Sequence, residues 1–306
     1  MDIIPARPML RADLRAQGVT GDEIDRARHA GRLTSVRPGA YLRSDDERLA
    51  DPEARHALAA RAAVRQHGAV DGAASHTSAA ALHGLPLWRV PLVRSHLTRP
   101  GDSGGRRTTY LHLHRAELDA DEIVLVDGVR VTSPARTVVD LARTLPFEQA
   151  VAIADAALHQ KIVTTGELER AVARAGGARG LPAARRVVAF ADGAADGPGE
   201  SISRVRFARA GLPRPELQHV VLDAAGRFIA QVDFWWPGRA VVGEFDGKVK
   251  YERLLKPGQN ASEVVYREKR REDAVRATGS PVIRWDWRDL DDFADVVTRL
   301  AALLTP

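Results

Sequence analysis

Apolar residues recur at helical spacing through LRADLRAQG at 10–18 and GDEIDRARHAG at 21–31, and each run closes on a glycine, at 18 and 31. Thr20 stands where its hydroxyl can cap the second run. The period then shortens to two. RLTSV, the turn residues Arg37-Pro38-Gly39 and AYLR predict a small β-hairpin. Two short helices followed by a hairpin predict a winged helix-turn-helix over residues 1–50.

Residues 51–195 predict an α+β middle domain. DPEARHALAARAAVRQHG and SHTSAAALHGLPL have helical spacing, and Ser75 or Thr77 can cap the second. Strand patterns follow in VPLVRSHLTR, TTYLHLHRA and EIVLVDGVRVTS, and PARTVVDLARTL opens a helical run through ALHQKIV and TTGELERAVARAG. The stretch ADGAADGPGE then marks a linker near residue 195. Beyond it the pattern reads helix, three strands, long helix, strand, helix. The whole is a mixed α/β, multidomain chain, with an αβββαβα domain over 196–306.

Within that last domain, QVDFWWPGRAVVGEFDGK predicts a hairpin around Gly238-Arg239. Its register pairs Trp236 with Val241, Trp235 with Val242, Phe234 with Gly243 and Asp233 with Glu244. Opposed carboxylates would have β-carbons about 4.5–5.5 Å apart, and they repel unless a divalent cation or a shared proton compensates. Strand alternation adds Asp246 and Lys248 to the Glu244 face.

Composition narrows the chemistry. The 306 residues are 44% apolar and 28% charged, ordinary for a globular chain with room for two or three cores. With no cysteine there is no disulfide and no thiolate zinc site, so the acidic set points to an oxygen-ligated ion. No window approaches a membrane span and the N-terminus has no leader pattern, which places the protein in the cytoplasm. A net charge of +5 hints at an anionic partner. On the second predicted helix Arg26, Arg28 and His29, and on the hairpin Arg32 and Arg37, suit DNA contacts. Arg267, Lys269, Arg270 and Arg271 crowd one predicted helix, where they either face a phosphate backbone or pair with Glu268 and Glu272. Of the 45 basic residues only five are lysine, and four of those lie between Lys248 and Lys269. His112 and His114 share a strand face, but no histidine or acid lies near them in sequence, so an ordinary sheet surface is expected there. Ser75, His76 and Asp140 could be drawn as a triad but lack a nucleophile elbow.

The order αβββαβα, with GPGES at 197–201, QVDF at 231–234, GEFDG at 243–247, YREKRRED at 266–273 and VIRWDW at 282–287, resembles the PD-(D/E)xK nuclease fold. Residues 198–292 look like a very-short-patch-repair-type endonuclease domain. LRADLRAQGVTGDEIDRARHAGRLTSVRPGAYLR, SAAALHGL and TSPARTVVDLAR are similar to the abortive-infection antitoxin of the AbiEi type. The nuclease resemblance implies Asp233 and Glu244 as ligands of Mg2+ or Mn2+, Asp246 beside them, and Glu200 as a supporting acid. The motif lysine is absent, because Asp246 holds its position; Lys248 or Lys269 would have to replace it.

Two functions follow from these resemblances. One is a metal-dependent DNA endonuclease delivered by the winged helix. The other is a non-enzymatic antitoxin and repressor whose nuclease-like domain is degenerate, with a nucleotidyltransferase-like toxin encoded nearby. DNA is the partner in both.

Overall fold

A computed structural model describes residues 7–67, 71–101, 104–247 and 270–305, so Lys248, Arg267, Glu268 and Lys269 lie outside the described residues. The described residues form a mixed α/β chain with three sheets among them, divided into two compact units at residues 190 and 191. No described helix is long and apolar enough to cross a membrane.

In the first unit, α1 (Arg11–Ala16) and α2 (Gly21–His29) precede β2 (Leu33–Arg37) and β3 (Ala40–Arg43). The Thr20 hydroxyl accepts from the Glu23 amide at 3.3 Å while the Glu23 carboxylate accepts from the Thr20 amide at 2.7 Å, so both ends of the α2 cap are satisfied. Gly18, with φ +87°, releases the chain from α1. A strand that the pattern did not reveal, β1 (Met9–Leu10), pairs antiparallel with β3 and completes a sheet ordered β1-β3-β2. Two residues are too few for an alternation to be seen.

The same unit holds a six-stranded sheet whose strands, in spatial order, are β6 (Arg106–Arg107), β7 (Leu111–Arg115), β5 (Ser95–Arg99), β4 (Ala73–Ala74), β9 (Val129–Thr132) and β8 (Ile123–Val126). Its longer strands, β5, β7, β8 and β9, sit inside the expected segments. The two-residue strands β4 and β6 escape pattern reading. α3 (Pro52–His67) and α4 (His76–Leu82) contribute Ala60, Ala63, Ala79 and Leu82 to a core shared with Leu97, Leu111 and Val131. α5 (Pro134–Ala142), α6 (Phe147–His159), α7 (Thr165–Arg174) and α8 (Leu181–Phe190) follow. The last of these lay beyond the helical run read from sequence.

The second unit runs α9 (Pro198–Arg209), β10 (Glu216–Leu222), β11 (Phe228–Trp236), β12 (Val241–Asp246), a helix α10 described over 270–277, β13 (Val282–Asp286) and α11 (Ala294–Leu304). Its sheet is ordered β10-β11-β12-β13; β13 runs parallel to β12, the other pairs antiparallel. Phe207 of α9 meets Phe234, Trp236 and Trp285 edge-on at 5.3–5.5 Å, an arrangement favoured by the ring quadrupoles. Trp236 and Trp285 are each 2% exposed, as core packing requires. Close approach is made possible by glycine at two points. A β-carbon on Gly199 would meet the Phe245 ring at 2.0 Å, and one on Gly243 would meet Trp285 at 2.7 Å.

The β11–β12 register pairs Trp236 with Val241, Trp235 with Val242 and Phe234 with Gly243. Pairing stops one step short of Asp233 and Glu244. There the Asp233 carboxylate crosses the gap and accepts from the Phe245 amide at 2.8 Å. The opposed, mutually repelling pair expected from the hairpin is thus replaced by a side-chain bond that satisfies a backbone donor where the ladder ends.

Candidate functional site

Three clusters concentrate the chemistry. The first is the basic surface of α2 and the residues after it. Arg26, Arg28, His29 and Arg32 are all exposed. Their directions are partly set by local bonds: Arg26 donates to the Asp22 carbonyl at 3.4 Å, Arg28 pairs with Asp25 at 3.4 Å, and His29 Nδ1 lies 2.8 Å from the Asp25 carbonyl. Arg26, His29 and Arg32 line one concavity together with Gln17 and Glu23. Arg37 departs from the expectation of a wing contact. It is 7% exposed, and burial pushes its guanidinium down to about 10. Its Nε and one Nη are buried without a hydrogen-bond partner. A side chain turned inward at the end of β2 cannot reach a phosphate outside.

The second cluster surrounds the expected metal ligands. Glu244 is 12% exposed at its side chain and carries two guanidiniums, Arg284 at 2.5 Å on one oxygen and Arg271 at 2.9 Å on the other. Arg284 is the register partner of Glu244 across β12 and β13. Glu272 also approaches Arg284, at 3.4 Å. Arg271 donates further to the Gln231 carbonyl at 2.9 Å, so it is tied into the sheet, whereas Arg270 is exposed. Glu200, 2% exposed, accepts from the Asp196 amide at 2.9 Å and from Gln218 Nε2 at 3.0 Å. Asp246 ends β12 with Asp286 as its register partner.

These positions bear on whether Mg2+ or Mn2+ fits. A divalent ion on Glu244 would face two guanidiniums within hydrogen-bonding distance of the same carboxylate, and Asp233 already holds the Phe245 amide. Among the described residues, two guanidiniums and a backbone amide thus already occupy the carboxylate oxygens that an ion would need at Glu244 and Asp233. The sequence missed this arrangement because Arg284 comes from a parallel strand some forty residues downstream.

The third cluster was discounted from sequence. His114 Nε2 lies 3.1 Å from His96 Nδ1, and the His76 ring stacks on His114 with centroids 3.9 Å apart. His112 joins at 3.8 Å from His114. His112 and His114 lie half-buried on a strand face, where the parallel β5–β7 pair places His96 beside His112 and Thr98 beside His114, and His76 at the start of α4 stacks on His114. Burial, followed by the neighbouring imidazoles, pushes His96 down to about 3 and His114 down to about 2. His76 falls well below its ordinary value for the same reasons. The signal in the sequence was a pair of histidine-bearing strands, SHLTR and LHLHR, which become legible only once they are known to be neighbours.

Asp140, one member of the dismissed triad, belongs elsewhere. Its side chain is 1% exposed and accepts from Arg136 at 2.8 Å and Arg143 at 3.1 Å, and Arg136 continues to Glu122 at 2.7 Å. Burial raises the Asp140 carboxyl, and the two arginines only partly oppose it. Thr137 joins Thr132 through hydroxyls 2.7 Å apart, and Ser133 caps α5 by accepting from the Arg136 amide at 3.4 Å. The stretch TSPARTVVDLAR thus works as a structural latch of α5.

A capped helix pair and hairpin followed by a mixed sheet with this latch make the first unit a small α/β module joined to an α+β domain. Residues 49–190 match the family described as the AbiEi antitoxin C-terminal domain. Uncharacterized proteins from two strains of Mycobacterium tuberculosis are each 37% identical over 169 residues, which is 55% of this chain and 60% of theirs. The chain thus spans less than two thirds of the length of these curated relatives. The family match ends at residue 190 and does not bear on the nuclease resemblance beyond it.

Proposed function

We propose that the protein is a DNA-binding regulator of the AbiEi antitoxin type, acting in the cytoplasm without catalysis and repressing its own promoter. The match of residues 49–190 to the antitoxin domain carries this reading. The exposed Arg26, Arg28, His29 and Arg32 support it, since residues 1–50 as a winged helix would present them to a phosphate backbone. The middle domain over 51–195 would serve the antitoxin role toward a nucleotidyltransferase-like toxin. Residues 196–306 would be a PD-(D/E)xK-type module that has lost its metal. The paired guanidiniums on Glu244 and the aspartate at the motif-lysine position both support that loss.

The test is a gel-shift titration of the full chain with its upstream DNA across a salt series. Sequence-preferring binding that weakens with salt and with Arg26→Ala and Arg28→Ala is expected. Salt-independent binding, or none, would overturn the reading.

A further inference from the structure

The first unit contains a set of ligand atoms that the regulator reading leaves unused. His76, His96 and His114 each offer a ring nitrogen, and the three nitrogens lie within 4.8 Å of one another. They are brought together from the first residue of α4, the second of β5 and the fourth of β7. The geometry points to a divalent transition-metal site of the zinc, cobalt or nickel class, formed by His76, His96 and His114.

Three observations carry it. The first is spacing. Two nitrogens bound about 2.0–2.1 Å from a tetrahedral zinc stand roughly 3.3 Å apart, and His114 Nε2 and His96 Nδ1 are 3.1 Å apart. Without a metal that contact needs a proton on one nitrogen; with a metal both lone pairs turn to the ion. The second is support behind the ligands. His76 Nδ1 lies 3.1 Å from Ser75 Oγ, and Ser75 Oγ accepts from Thr98 Oγ1 at 2.7 Å. With Nδ1 donating to that hydroxyl, Nε2 of His76 is the nitrogen left for an ion, the arrangement that ligating histidines ordinarily have. The third is backbone. His76 holds φ +49°, a left-handed conformation that a non-glycine residue adopts at a cost, and here it brings the ring over His114.

Arg136 of α5 and Arg143 at its C-cap are both bound to Asp140, and Arg136 also to Glu122, so these two positive charges meet two negative ones. Arg94 adds a positive charge near His96, which an ion bound there has to outweigh. His96 and His114 are partly exposed, which leaves an ion a way in. Imidazoles alone, in a chain with no cysteine, favour zinc, cobalt or nickel over magnesium.

The experiment uses the full chain, stripped with a chelator and titrated with Co2+ and Zn2+, with Mg2+ as the contrasting ion. One Co2+ per chain is expected, with the visible ligand-field bands of a nitrogen-rich site, displaced by Zn2+ and not by Mg2+. His96→Asn and His114→Asn should weaken binding by more than 100-fold. Ser75→Ala, which keeps all three ligands, should weaken it about 10-fold; His67→Asn, at an exposed position of α3, should bind as wild type. Absence of Co2+ and Zn2+ binding by the wild-type chain would overturn the proposal. So would equal affinity in folded His96→Asn, with folding checked by circular dichroism.

Discussion

Glu244 and Arg284 are register partners in the parallel strands β12 and β13, and their carboxylate and guanidinium close to 2.5 Å. Arg271 approaches the other carboxylate oxygen from α10 at 2.9 Å. The Glu244 carboxylate is therefore a crosslink among strand, strand and helix. Charge-assisted bonds of this kind are about twice as strong as neutral ones, and they fix α10 against the sheet edge.

Removing that carboxylate should cost stability. Glu244→Gln leaves two guanidiniums facing a neutral amide in place of the carboxylate between them. With all three side chains partly shielded, the expected loss is about 2–3 kcal/mol. Urea denaturation measures it. A change below about 0.5 kcal/mol, the size ordinary at exposed positions, would show that the crosslink is not formed in solution.

The same crosslink bears on cleavage. Supercoiled plasmid and short single- and double-stranded DNA incubated with the wild-type chain in Mg2+ or Mn2+ should remain uncut. Asp233→Ala should behave identically, because Asp233 serves the Phe245 amide. Metal-dependent cutting by the wild type that Asp233→Ala abolishes would restore the endonuclease reading and redirect attention to Lys248.

DNA binding should separate the exposed arginines from the buried one. Arg26→Ala and Arg28→Ala should each lower the slope of log affinity against log salt by about 1 if each side chain neutralises one phosphate. Arg37→Met should leave that slope unchanged. It should also raise stability by roughly 1 kcal/mol, since it removes buried donors that have no partner. A fall in salt slope for Arg37→Met would mean that the side chain turns outward on binding.

The sequence disclosed what is local and concealed what is assembled from afar. The Thr20–Glu23 cap, the glycine stops of α1 and α2 and the Trp236–Val241 register all follow from neighbours within a few positions. Short strands such as β1, β4 and β6 did not, because two residues carry no period. The site followed the same division. Asp233 and Glu244 were legible as a hairpin pair, but their partners were not. Arg284 reaches Glu244 only through parallel pairing of β13 with β12, and His96 reaches His114 only through parallel pairing of β5 with β7. Parallel neighbours are joined by long connections, so nothing in their local spacing declares the contact.

Acid should weaken the first unit as pH falls below the ordinary range of histidine. His56 is 3% exposed, with Nδ1 at 2.8 Å from the Leu92 carbonyl and Nε2 at 3.1 Å from Ser78 Oγ. Burial holds its pKa below the ordinary 6.5, against a smaller opposing effect of the Leu92 bond. Between the folded and unfolded values the unfolded chain binds the extra proton, so stability is at its full value above about pH 6.5 and declines as pH falls below it. His96 and His114, held down to about 3 and about 2, act in the same direction in the metal-free protein. Each such group contributes up to about 1.4 kcal/mol per pH unit across its window. Urea midpoints of metal-free protein at pH 7, 6 and 5 should therefore fall progressively. His56→Gln, whatever it costs at pH 7, should make the decline shallower. A midpoint that does not change from pH 7 to 5 would mean that these imidazoles are not buried as neutral groups.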